Sequence, residues 1–163
     1  MDIYEANSKD LHLFLDRCMI NGDFKKFAGI ESEYDLNVFI TDMLKNPSFM
    51  IFENNDPIGY ISFQSKEKAN EFEVSLYIDE LCRNQGFGTA ALDILGSSLL
   101  NCLSYKEKSY HANALSATLS SDHTAMIKVL ENNGFYRCEE GIGSESMCRY
   151  AKYEDDIING TAF

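Results

Sequence analysis

The sequence predicts an α+β fold built on a mixed sheet, and three observations carry that prediction. From Ser48 to Asp79, three strand-type runs follow one another across short polar turns, which predicts an antiparallel meander. Ahead of it, apolar residues recur at three- and four-residue spacing, the period of a helix. Behind it, helix and strand patterns alternate. The element order reads β-α-α-β-β-β-α-β-α-β-β.

Taken in order, Asp2–Ala6 is a short strand. Asn7 or Ser8 caps a helix carrying Leu11, Phe14, Leu15, Cys18 and Met19, and Asn21-Gly22-Asp23 ends it. Tyr34–Leu44 is a second helix, stopped by Asn46-Pro47. Ser48–Glu53 and Ile58–Gln64 are strands around the turn cluster Asn54–Pro57, and Ser65–Asn70 makes the next turn. Glu71–Asp79 alternates. Phe72, Val74, Leu76 and Ile78 share one side, and Glu71, Glu73, Ser75, Tyr77 and Asp79 the other. A helix from Phe87 to about Leu103 buries Ala91, Leu92, Leu95, Leu99 and Leu103. Ser104–Asn113 reads as a polar linker. Leu115–Leu119 is a strand, and Ser120-Ser121-Asp122 offers an N-cap for a helix over His123–Asn133. Gly134-Phe135 fits a Schellman stop. Tyr136–Glu139 and Ser146–Tyr153 are strands around the loop Gly141–Glu145, and the acidic tail 154–163 frays. No repeat or linker divides the chain, so residues 1–163 read as a single domain.

Composition narrows the function. With 45% hydrophobic and 12% aromatic residues in 163, the chain can bury a sizeable core. A net charge of −12 weighs against nucleic acid and anionic membranes as partners. No apolar run reaches membrane-span length, and the first residues lack the features of a signal peptide. Five cysteines, odd in number and without a C-x-x-C pair, suggest neither a zinc site nor a disulfide framework. A reducing cytoplasm suits them, and no metal is expected.

The stretch Leu81–Ala91 carries the chemistry. A strand runs into a glycine-containing turn and then a helix start, which aims backbone N–H groups at one spot beside the positive end of a helix dipole. Gly86 and Gly88 keep side chains out of a ligand's approach. The pattern predicts a phosphate or pyrophosphate site. A dinucleotide fold would need alternating βαβ units, and three consecutive strands before the turn argue against one.

Arg83-x-x-Gly86-x-Gly88, after an alternating strand and before a helix, resembles the acetyl-CoA motif of the GNAT-type N-acetyltransferase superfamily. His123 through Gly134-Phe135 resembles that family's second motif, and the element order matches over nearly the whole chain. The resemblance implies a central mixed, mostly antiparallel sheet flanked by helices on both faces. It implies acetyl transfer from acetyl-CoA to a primary amine by direct attack in a ternary complex. The strands ending near Asp79 and beginning near Leu115 would splay to admit the pantetheine arm, which would bond to backbone at Leu76, Tyr77 and Ile78. The pyrophosphate would sit on amides of Gln85, Gly86, Phe87, Gly88 and Thr89. Asn84 belongs to the same turn. Arg83 could touch a phosphate or contribute through its backbone.

Glu73 lies where the family often places a general base, and a solvated or salt-bridged carboxylate is its other reading. Tyr77, on the same face, lines the acceptor pocket, acts as an acid or packs as an ordinary aromatic. His123, or Asp122 in a register shifted by one, stands where relatives carry an Asn that contacts pantetheine. It either moves protons or caps its helix. Leu130 occupies the position of the usual acid Tyr and has no proton to give. Cys82 abuts the motif and is not assigned as a nucleophile, and Tyr150 reads as core. The acceptor would be an amine-bearing small molecule or a peptide N-terminus. A homodimer is among the states the resemblance allows. The alternative is a non-catalytic acyl-CoA-binding module of the same fold.

Overall fold

Strand pairing begins at the N-terminus. In the computed structural model, which describes residues 1–66, 70–138 and 146–154, β1 (Asp2–Glu5) lies antiparallel to β2 (Ser48–Glu53). β2 in turn pairs antiparallel with β3 (Asp56–Ser65). Between them Asn54 and Asn55 hold φ of 51° and 66°. That left-handed pair matches the twist of a tight hairpin, and Asn tolerates it. The sequence places Pro57 in this turn, but the structure puts it inside β3, opposite Phe52. The pairing is irregular at Ile51/Phe52, and a proline fits a strand where the ladder is broken.

The chain forms two compact units, residues 1–64 with 75–88, and the described residues among 65–74 and 89–154. In the first, α1 (Ser8–Asn21) starts at Asn7, whose side chain accepts from the Asp10 N–H at 2.8 Å. α3 (Glu33–Leu44) starts at Ser32, which accepts from the Asp35 N–H at 3.1 Å. Between them lies α2 (Phe24–Ala28), a helix too short to show a period in the sequence. Its buried Phe24 joins Leu11, Phe14, Leu36, Ile40 and Tyr60 in one core.

β4 (Glu71–Ile78) runs antiparallel to β3, with Lys66 N–H donating to Glu71 O and Asp79 N–H to Ile58 O. Its first residues, Glu71–Glu73, pair in parallel with Ala114–Ser116 of β7 (Ala114–Ser120). That pairing makes the sheet mixed. The ladder stops there, so in the first unit Ser75–Ile78 is an edge strand beyond β3. β3 and β4 approach closely at Gly59, where an added Cβ would lie 2.4 Å from the Tyr77 carbonyl oxygen.

α4 (Phe87–Asn101), which lies in the second unit from Thr89 on, ends short of Leu103, a residue the sequence places in the helix, and leads into a feature read largely as linker. Leu103–Tyr105 (β5) and Lys108–Tyr110 (β6) form a hairpin. Its turn residues Lys106 and Glu107 have φ of 48° and 64°, a turn shape usually announced by Asn-Gly and absent from the sequence signal. β9 (Met147–Tyr153) lies antiparallel to β7 and to β8 (Tyr136–Cys138). The sheet order is β1-β2-β3-β4-β7-β9-β8, a mixed sheet flanked by helices. The expected loop 141–145 and the tail beyond 154 lie outside the described residues.

α5 (Thr124–Asn132) ends as expected. Gly134 has φ 81°, its N–H donates to Glu131 O, and the Phe135 N–H donates to Leu130 O. Leu130 and Phe135 are both buried. Gly134→Ala should therefore lower stability by about 1 kcal/mol through backbone strain alone, measured by equilibrium urea unfolding. Its added Cβ would meet only the Lys152 side chain, at 3.7 Å.

Candidate active site

The glycine turn is built by two left-handed residues. Asn84 has φ 62° and Gly86 φ 85°, separated by Gln85, and α4 begins at Phe87. An Asn can hold the first position, while Gly holds the second without strain. Asn84, Gln85 and Gly86 are exposed, so the turn is open to a ligand. The first amides of α4 have no partner within the helix and carry the positive end of its dipole. A Cβ on Gly86 would meet nothing within 4 Å, so here the backbone angle demands glycine. A Cβ on Gly88 would lie 3.1 Å from Leu76 Cδ2, so there the helix start packs tightly on β4.

Behind the turn stands a charge cluster that the sequence does not announce. Arg83 donates Nη1 and Nη2 to the two oxygens of Asp23, both at 2.7 Å, and Nε to the Ile78 carbonyl at 2.9 Å. Its Cζ lies 5.3 Å from the Tyr77 ring centre, and the Tyr77 hydroxyl donates to Asp23 Oδ1 at 2.8 Å. The Arg83 hydrogen bonds hold Asp23 down at about 2, below the usual 3.8. Asp23 in return raises Arg83. Burial first, then the Asp23 carboxylate, pushes the Tyr77 phenol upward and keeps it protonated.

A family described as Acetyltransferase (GNAT) domain matches residues 7–136. The chain belongs to the GNAT acetyltransferases. No curated protein sequence matches it. Solved structures share the fold of this GNAT acetyltransferase. A GNAT-family acetyltransferase from Bacillus anthracis has a TM-score of 0.72 at 18% identity, covering 94% of each chain. A ribosomal-protein-alanine N-acetyltransferase from Brucella melitensis gives 0.68 at 15%, covering 94% of this chain and 99% of that one. The Campylobacter jejuni N-acetyltransferase PseH, solved with acetyl coenzyme A, gives 0.62 at 16%, covering 93% and 97%.

The structure of the GNAT chain assigns surroundings to each expected residue. Glu73 is half-buried on β4 and forms an ion pair with Lys66 Nζ. Tyr77 breaks the strand's expected alternation. It is 2% exposed and packs against Phe14, Phe24, Phe27 and Tyr60, so α1 and α2 cover the side read as polar. Arg83 reaches Asp23 and the Ile78 carbonyl. His123 is the N-cap of α5, its Nδ1 accepting from the Met126 N–H at 3.3 Å, where the sequence offered Ser120–Asp122. Leu130 is fully buried. Burial and Asp79 raise the Cys82 thiol, which keeps it a poor nucleophile. Tyr150 is 6% exposed, as core.

Two further histidines gain partners. His12 faces Asp16 at 2.9 Å through Nδ1 and Glu33 at 2.8 Å through Nε2, a group with metal-ligand atom types at the surface. His111 faces Glu154 at 3.0 Å. Among the described residues, no helix is long and apolar enough to cross a membrane. The sequence missed Asp23, read only as part of a helix stop, because its partners lie 54 and 60 positions away.

The depressed Asp23 carboxyl gives a pH signature. Its folded pKa lies below the unfolded one, so its contribution is fully present above the usual 3.8 and is lost as pH falls through about 2. Urea unfolding against pH should therefore show the stability gap between wild type and Asp23→Asn constant near neutrality and shrinking across that acid window.

Proposed function

We propose that this GNAT chain is an N-acetyltransferase, residues 1–163 acting as one domain, that moves acetyl from acetyl-CoA to a primary amine. The carrying observation is the turn Arg83–Gly88, with left-handed Asn84 and Gly86 opening the first amides of α4. Amides from Gln85 to Thr89 hold the pyrophosphate, without a basic side chain. Along the β4 edge, backbone groups of Leu76, Tyr77 and Ile78 hold the pantetheine arm as an added strand would be held. Acetyl-CoA supplies the activated thioester.

The amine must arrive neutral. Its nitrogen attacks the thioester carbonyl, the N–C bond forms, the C–S bond breaks and sulfur keeps the electron pair. Glu73 accepts the N–H proton, directly or through a water, after exchanging its Lys66 partner. Backbone N–H of β4 stabilises the oxyanion. With Leu130 at the usual acid position, the sulfur leaves as a thiolate, tolerable for a thiol near neutral pH. Tyr77, already donating to Asp23, shapes the site, and His123 orders the start of α5.

The net charge of −12 suits a cationic amine as acceptor. The structural neighbour named for ribosomal-protein alanine supports including peptide N-termini beside small amines. Five free cysteines suit a reducing compartment such as the cytoplasm. A second reading, an acyl-CoA-binding module without turnover, is favoured by the buried Leu130 and the capping His123.

Thiol release from acetyl-CoA, followed with a panel of small amines, polyamines and free-N-terminal peptides, separates the two. The enzyme should turn over at least one acceptor, and Glu73→Gln should lower that kcat by about 10²-fold or more. Binding of acetyl-CoA with no turnover for any acceptor would favour the module.

A further inference from the structure

We propose that Asp23 is a positioning residue for the acyl-CoA turn. It fixes Arg83, and through Arg83 the end of β4, in the pose from which residues 84–88 present their amides. This rests on reading that turn as the acyl-CoA site.

The argument starts with what Asp23 forgoes. It stands at the N-cap of α2, where an aspartate side chain ordinarily accepts from the helix's first N–H groups. Here it makes no capping bond. Both carboxylate oxygens face the Arg83 guanidinium instead, at 2.7 Å each, in the paired geometry that fixes a plane as well as a distance.

Arg83 is held from three directions. Nε is bonded to the Ile78 carbonyl, the outer nitrogens to Asp23, and the guanidinium carbon stands 5.3 Å from the Tyr77 ring centre. Tyr77 closes the circuit by donating to the same carboxylate. Ile78 and Tyr77 are the last residues of β4, and Arg83 immediately precedes the left-handed Asn84. The circuit therefore spans the short segment that leaves β4 and enters the turn. Within it, Asp79 caps the 3-10 turn Glu80–Cys82 through the Leu81 N–H at 3.2 Å, and the Asp79 N–H donates to Ile58 O at 2.7 Å.

Charge points the same way. Arg83 is the only basic residue between Leu81 and Ala91. A side chain meant to neutralise phosphate would not be locked to a carboxylate. A strut would be. With the strut in place the amides are ordered before the ligand arrives, so binding does not bear the entropy of ordering the turn.

The test measures acetyl-CoA affinity by calorimetry for wild type, Asp23→Asn, Arg83→Gln and the double variant, each at a temperature far below its own melting point. Asp23→Asn keeps the shape and removes the charge. The inference expects each single variant to weaken acetyl-CoA by about tenfold, with the double variant no weaker than either, since both remove one circuit. Asp23→Glu, which keeps the carboxylate, should recover part of the loss. If Asp23→Asn does not fold, Arg83→Lys, which keeps the charge without the fork, should show the same weakening. Unchanged or tighter binding in Asp23→Asn, with loss in Arg83→Gln, would make Arg83 a direct phosphate ligand and overturn the inference while leaving the acyl-CoA reading intact. A wild type that fails to bind acetyl-CoA would overturn both.

Discussion

A strand must end and a helix begin within a few residues, without a β carbon standing over the helix's first amides. That backbone constraint shapes the rest. Asn84 and Gly86 meet it with positive φ, and Gly88 lets α4 start close against Leu76. A turn of this kind is costly to order from a flexible chain. The structure fixes its approach from several sides, through the Ile58 and Asp79 backbone bond, the Asp79 cap and the Arg83–Asp23 pair.

In the proposed reading, the protein's charge favours backbone amides over basic side chains for holding phosphate. A chain of net −12 that binds a polyanion through lysines and arginines would have to gather them against its own field. Helix amides provide local positive potential without a titrating group. Elsewhere, half-buried charges are matched rather than left alone. Glu71 and Arg149, with side chains 13% and 15% exposed, meet at 2.9 Å, and Ser116 donates to the second Glu71 oxygen. Removing one partner of such a pair leaves the other uncompensated, which makes β4 and β9 intolerant of single changes there.

Local chemistry made most of the elements legible. The cap Asn7, the Gly134-Phe135 stop and the glycines of the turn are short-range signals, and they stand where the residues predict. What was not legible depends on distance or on substitution of unusual residues into a usual shape. The β5–β6 hairpin turns on Lys106-Glu107, which no turn rule favours. Pro57 is tolerated in β3 only because of a pairing irregularity. Tyr77 shares a strand side with Glu73 and Ser75, and which of its readings holds depends on α2, itself invisible as a pattern, which covers it with Phe24 and Phe27. Asp23 was hidden because its role is defined by residues far along the chain.

The most direct measurement is amide NMR of the labelled protein titrated with acetyl-CoA. The account predicts that the backbone N–H signals of Gln85, Gly86, Phe87, Gly88 and Thr89 move most among the turn and helix residues. Binding that left those five amides unmoved would contradict it.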